Sequence, residues 1–149
     1  MGSDSKPETI GIFMENLALQ KQQEIVQEFQ QMKSWEDRYK HIIKIGKDLP
    51  QLPEDLYQEK FLVKGCQSQV WLHAQLNDQG QMILQADSDA MIVKGLVSLL
   101  LRAYSGLLPK EILAAPPEFI EDLGFKESLS PSRANGFLSM VKQIMLYAQ

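Results

Sequence analysis

The chain has 149 residues, 44% hydrophobic and 23% charged, with a net charge of -4. That length suits one ordinary domain with a buried core, and the acidic balance argues against general nucleic-acid binding, which wants a basic face. The longest apolar run, Gly95 to Leu101 between Lys94 and Arg102, falls well short of the roughly 20 residues that span a bilayer, so no membrane role is expected.

Asp4, Lys6 and Glu8 precede any apolar stretch, so the N-terminus reads as no secretory signal. Met1-Gly2 is no myristoylation signal either, because Lys6 stands where Ser or Thr is wanted. Residues 1–14 read as a disordered polar tail, and 15–149 as a single domain. Leu17, Ile25, Phe29 and Met32 then form a loose helical stripe on a Gln/Glu-rich background. Ser34-Trp35-Glu36-Asp37 is a capping-box-like start with Asp37 at N3. The helix it opens carries Tyr39, Ile42, Ile43 and Ile45 and should stop near Gly46, before Pro50. Residues 50–59 read as a connecting loop.

The period next changes to two. Phe61-Leu62-Val63 is a short strand candidate leading into Gly65. Val70, Leu72, Ala74 and Leu76 alternate with Trp71, His73 and Gln75. Asn77-Asp78-Gln79-Gly80 is a turn, and Met82, Leu84 and Ala86 continue the alternation, so the two runs form a β-hairpin. Three short strands need a cover. The next helix supplies it: Asp87-Ser88-Asp89 reads as its cap, and Met91 to Tyr104 is apolar on most sides. Shorter helical pieces punctuated by Pro109, Pro116 and Pro117 follow, with Phe119, Ile120 and Leu123 as packing residues. Ser130-Pro131 opens the last helix as N-cap and N1, which runs on through Phe137, Leu138, Val141, Ile144 and Met145. The expected architecture is α+β, a small three-stranded antiparallel sheet covered by helices.

The candidate for chemistry is Cys66, the only cysteine, in Gly65-Cys66-Gln67-Ser68-Gln69-Val70-Trp71. Alone it closes no internal disulfide and builds no thiolate-rich metal cage. A free thiol without an export signal points to a reducing, cytoplasmic setting. A lone thiol is often a small buried hydrophobe. Here it falls in a loop between strands, where function concentrates. Gly65 frees the backbone, while Gln67, Ser68 and Gln69 can donate hydrogen bonds to a sulfur anion. His41 and His73 are the only imidazoles. His73, on a strand face with Trp71, reads better as a partly exposed strand residue than as a base for Cys66. Arg133 sits in the first turn of the last helix, where the dipole repels cations. Gly136 lies one turn on, where glycine costs about 1 kcal/mol against alanine and signals close approach by another backbone. Asp87 and Asp89 are most simply caps. No phosphate-loop, dinucleotide or metal-ligand motif occurs, so no cofactor is expected.

Taken in order, five segments resemble the SufE family of sulfur-acceptor proteins. They are Trp35-Glu36-Asp37-Arg38-Tyr39, Leu49-Pro50, Gly65 to Trp71, Asp87-Ser88-Asp89-Ala90 with Ile92-Val93-Lys94-Gly95-Leu96, and Ser130-Pro131-Ser132-Arg133 with Asn135-Gly136. The resemblance covers about residues 15–148 and is nearer SufE proper than its CsdE relatives. It implies a fold like IscU-type scaffolds and a tendency to form homodimers. It implies that Cys66 accepts persulfide sulfur from a SufS-like, PLP-dependent cysteine desulfurase, which the chain also activates. The sulfur would pass to a SufBCD-like iron–sulfur cluster scaffold. Arg133 and Asp89, with Glu121, would lie on the desulfurase-facing side. The residues alone leave two other readings open: a stand-alone single-cysteine thiol enzyme, or a non-catalytic adaptor with an incidental cysteine.

Overall fold

The computed structural model describes residues 7–115 and 117–149, with side chains from residue 17 onward except that of Lys126. Of the expected tail, residues 1–6 lie outside the described residues, and the first helix, α1, runs Pro7–Gln30. After it come α2 (Trp35–Lys47), β1 (Val70–Leu76), β2 (Met82–Ser88), α3 (Met91–Tyr104), the short α4 (Pro109–Leu113), α5 (Phe119–Asp122) and α6 (Phe125–Ser128), and the long α7 (Pro131–Ala148).

Local signals set several boundaries. Ser34 caps α2 by accepting from the Asp37 amide at 3.1 Å, and Ser130 caps α7 by accepting from the Arg133 amide at 3.4 Å, with Pro131 at N1 where its missing N–H costs nothing. Asn77 Oδ1 accepts from the Gln79 and Gln81 amides, and Gly80 takes φ +76°, so β1 and β2 pair antiparallel from Val70↔Ser88 to Leu76↔Met82.

The even-numbered residues Val70, Leu72, Met82, Leu84 and Ala86 are buried with α3 and α7 in one core. α3 is that core's central rod, with Leu96, Val97, Leu99, Leu100 and Ala103 fully buried. It crosses α2 where both helices carry glycine. A methyl group on Gly46 would stand 2.8 Å from the Gly95 backbone nitrogen, and one on Gly95 would run into the Ile42 carbonyl. Along α1 the buried stripe is Ala18, Gln22, Ile25, Val26 and Phe29, while Leu17 is exposed. Leu138 of α7 likewise faces outward, and Met140 takes the inward place.

Two expectations are corrected. The sheet has two strands, not three. Phe61-Leu62-Val63 is not a strand: Glu59–Phe61 is a 3-10 turn, and Gly65 at φ +92° turns the chain again. Only one bridge forms between them, Leu62 opposite Trp71, with the Val63 amide donating to the Val70 carbonyl at 2.8 Å. Asp87-Ser88-Asp89 does not cap α3. The N-cap is Ala90, without a side-chain bond of its own, because Asp87 and Ser88 end β2; Ser88 Oγ accepts from the Ala90 amide at 3.3 Å, one residue ahead of the helix, and none of the three side chains accepts from an amide of the helix's first turn.

Candidate functional site

The Val63–Val70 bond closes a loop of Lys64 to Gln69 at its neck. Its exit is held at Gln69. The Gln69 carbonyl accepts from Ser88 Oγ at 2.8 Å and from the Asp89 amide at 3.3 Å, and the Gln69 amide donates to Asp89 Oδ1 at 3.0 Å. Gly65, Gln67 and Gln69 are exposed, whereas Cys66 and Ser68 are half-buried.

Cys66 leans inward onto α7. Its thiol donates to the Gly136 carbonyl at 3.4 Å, and a methyl group on Gly136 would stand 3.4 Å from the sulfur. The glycine flagged inside the helix is therefore where the cysteine rests. A hollow of about 330 Å³ beside the thiol is lined by Gln67, Ser68, Val93, Arg133, Gly136 and Met140, among others. Burial pushes the thiol's pKa up, because the thiolate is the form that loses solvation. The Gly136 carbonyl reinforces this, since only the protonated sulfur has a hydrogen to donate.

The fold thus brings Cys66, Gly65, Gln67, Ser68, Gln69, Asp89 and Arg133 into one neighbourhood. Arg133 is exposed on the first turn of α7 and makes no ion pair among the described residues. Glu121 is not brought to the thiol. It lines a separate hollow of about 700 Å³ on the other flank of α7, with Ile120, Phe125, Ala134 and Leu138. His73 is turned elsewhere too, packing edge-on against Phe61 at 4.9 Å. His41 bonds Glu28 at 2.6 Å. The sequence does not point to three residues of this neighbourhood as parts of a site: Ser88 reads as a cap, Val93 as one apolar residue of α3, and Met140 falls outside the apolar stripe expected for the last helix. Among the described residues no group of His, Cys, Asp and Glu could hold a metal, and no helix is long and apolar enough to cross a membrane.

Residues 23–148 match the family described as "SufE: Fe-S metabolism associated domain". The chain belongs to the SufE family. An uncharacterised SufE-like protein of Synechocystis sp. is 43% identical over 124 residues, 83% of this chain and 77% of that protein. One of Rhizobium etli is 40% identical over 134 residues, 87% and 90% of the two chains. The SufE-like protein 1, chloroplastic/mitochondrial, of Arabidopsis thaliana is 40% identical over 122 residues, 82% of this chain but only 33% of that longer protein. A solution structure of a hypothetical protein from Thermus thermophilus superposes with a TM-score of 0.72 at 23% identity, covering 86% of this chain and 93% of that one. That likeness is one of fold. The SufE family is one of iron–sulfur metabolism, which sets the field in which a half-sheltered lone thiol has to be understood.

Proposed function

We propose that residues 15–149 act as one sulfur-acceptor domain that takes persulfide sulfur onto Cys66 and carries it to an iron–sulfur cluster scaffold. The donor in this reading is a SufS-like, PLP-dependent cysteine desulfurase, and the receiver is a SufBCD-like scaffold. The observation that carries it is the state of Cys66: one thiol, half-sheltered on α7, in a loop fastened at two points. A permanently exposed persulfide would be lost to small thiols, and a permanently buried thiol would reach no partner.

The step is an exchange. The Cys66 thiolate attacks the outer sulfur of the desulfurase persulfide, a new sulfur–sulfur bond forms, the old one breaks, and the desulfurase thiolate leaves and takes up the proton. Nothing is oxidised or reduced overall. The free protein keeps Cys66 protonated, so the thiolate must form when the loop lifts the sulfur off the Gly136 carbonyl. Docking then needs only to favour the lifted state over the resting one. In this reading Arg133, which pairs with no carboxylate among the described residues, and Asp89, at the loop's exit, meet the desulfurase. Gln67 and Ser68 line the path, and with a single cysteine no second thiol of the chain can discharge the persulfide.

The test is mass spectrometry after incubation with a desulfurase and free cysteine. The wild-type chain should gain one sulfur atom on Cys66. Cys66→Ser should gain none while keeping its unfolding midpoint. A chain that gains no sulfur yet stimulates the desulfurase is an adaptor. One that turns over a peroxide or ester substrate alone is a thiol enzyme. Either result overturns the proposal.

A further inference from the structure

We propose that Asp87 is a positioning residue, held by Tyr57 and Lys94, which sets how readily the Cys66 loop opens. The proposal rests on the acceptor reading for its consequence, the protection of a carried sulfur. Its geometry stands independently.

The Asp87 carboxylate joins three segments. One oxygen accepts from the Tyr57 hydroxyl, out of the segment after the 3-10 turn Glu54–Leu56. The other takes the Lys94 ammonium of α3 at 3.3 Å and the backbone amide of Ser88 at 2.8 Å. Ser88 in turn donates its hydroxyl to Gln69, the exit of the cysteine loop, at 2.8 Å. A line of hydrogen bonds, linked at Ser88 by that residue's own covalent frame, therefore runs from Tyr57 and Lys94 through Asp87 to Gln69, three residues from the thiol. A second contact runs beside it. Asp87 lies opposite Trp71 in the sheet register, and the Tyr57 ring packs edge-on against Trp71 at 4.9 Å.

The carboxylate is itself well sheltered, with 14% of its side chain exposed. Burial alone would raise its pKa, yet the bonds from Tyr57, Ser88 and Lys94 outweigh that and hold it lowered. It therefore stays charged at neutral pH, and charged hydrogen bonds are the stronger kind. Removing one donor should loosen the strand end that grips Gln69 and leave the helical core alone. Tyr57 reads as a loop residue in the sequence, because its partner lies 30 residues away.

The test is the rate at which iodoacetamide modifies Cys66 in the whole chain. Tyr57→Phe keeps the ring on Trp71 and deletes only the hydroxyl. It should speed modification about three- to tenfold, the scale of one hydrogen bond. The faster rate should be insensitive to dilute urea, as for local opening rather than global unfolding. Tyr39→Phe is the control, since it deletes a hydroxyl bonded to the Ser128 carbonyl at 3.1 Å, away from this network, and should leave the rate unchanged. Lys94→Met, which loses the ion pair, should act in the same direction as Tyr57→Phe.

A Tyr57→Phe rate equal to wild type overturns the proposal. So does a rise that grows steeply with urea, or one matched by Tyr39→Phe, because those mark a general loss of stability. Sulfur loading by a desulfurase is measured on the same samples. If the wild-type chain accepts no sulfur while Tyr57→Phe still speeds modification, the acceptor reading falls and the positioning role stands.

Discussion

Two places in this molecule bring backbones together through glycine, and they are built to opposite ends. At the α2–α3 crossing, Gly46 and Gly95 let main chain meet main chain, and a methyl group on either would enter the backbone of the other helix. At the loop–α7 contact the nearest neighbours are side-chain atoms. A methyl group on Gly136 would meet the Cys66 sulfur at 3.4 Å, the near edge of ordinary contact. One on Gly65 would meet the Ser139 hydroxyl. The first contact cannot separate without dismantling the core. The second is fastened by a thiol–carbonyl bond and the grip on Gln69, and can part while the helices stay where they are. On the proposed reading, a fold that has to hold still and also present a sulfur atom divides the two tasks between these contacts.

The sharpest way to break the comparison is one chemical change made at both. Gly95→Ala should cost about 3 kcal/mol or more, since overpacking against fixed backbone has no cheap relaxation, with a matching fall in the urea midpoint. Gly136→Ala removes a glycine from a helix interior, which alone favours the helix by up to about 1 kcal/mol. It should leave stability level or slightly raised, while crowding the Cys66 sulfur outward and speeding its alkylation. Equal destabilisation at both sites would mean that the loop contact is as rigid as the crossing.

Gly65→Val is the intermediate case. At φ +92° a β-branched residue is strained, by about 1–3 kcal/mol if the backbone does not shift, and its side chain must also displace Ser139. Much of that strain can be relieved by a loop that is not part of the core. Sulfur transfer to Cys66 should therefore fall more steeply than stability, read by comparing the persulfide yield with the unfolding midpoint. A midpoint that falls as far as that of Gly95→Ala, with the yield intact, would reverse the assignment of the two contacts.

The rigid half of the molecule was the more legible in the sequence. Ser34, Ser130-Pro131, the Asn77–Gly80 turn and the alternation of β1 and β2 are local signals. Each acts within a few residues of the structure it sets. The lone thiol, Gly65 and the misplaced glycine at 136 were also legible, because each breaks a local rule. What failed was long in range. Phe61-Leu62-Val63 looks like a strand by composition, but flanking turns leave it room for one bridge. Asp87, Ser88 and Asp89 look like a cap because a helix follows. Beyond the Ala90 amide their partners include Tyr57, Lys94 and Gln69, and no spacing rule tells a chain that a strand end will hold a loop from 20 residues earlier.

The smallest effect expected, and the one most specific to the separable contact, is in the pH dependence of Cys66 alkylation. Burial raises the thiol's pKa, so the rate for the folded chain should rise with pH around a midpoint above the about 8.5 of a free cysteine. In denaturant the midpoint should drop back to that value. The sign for stability follows: across this window the folded chain holds the proton more tightly than the unfolded one. The contribution is full below the unfolded thiol's pKa and is lost as pH climbs through the folded one. A half-exposed group makes that loss small. Gly136→Ala, by pushing the sulfur toward water, should bring the alkylation midpoint down toward the free value, whereas a substitution at the α2–α3 crossing that still folds should not move it. A midpoint at or below that of free cysteine in the wild-type chain would mean that α7 does not shelter the thiol, and the distinction between the two contacts would lose its chemical meaning.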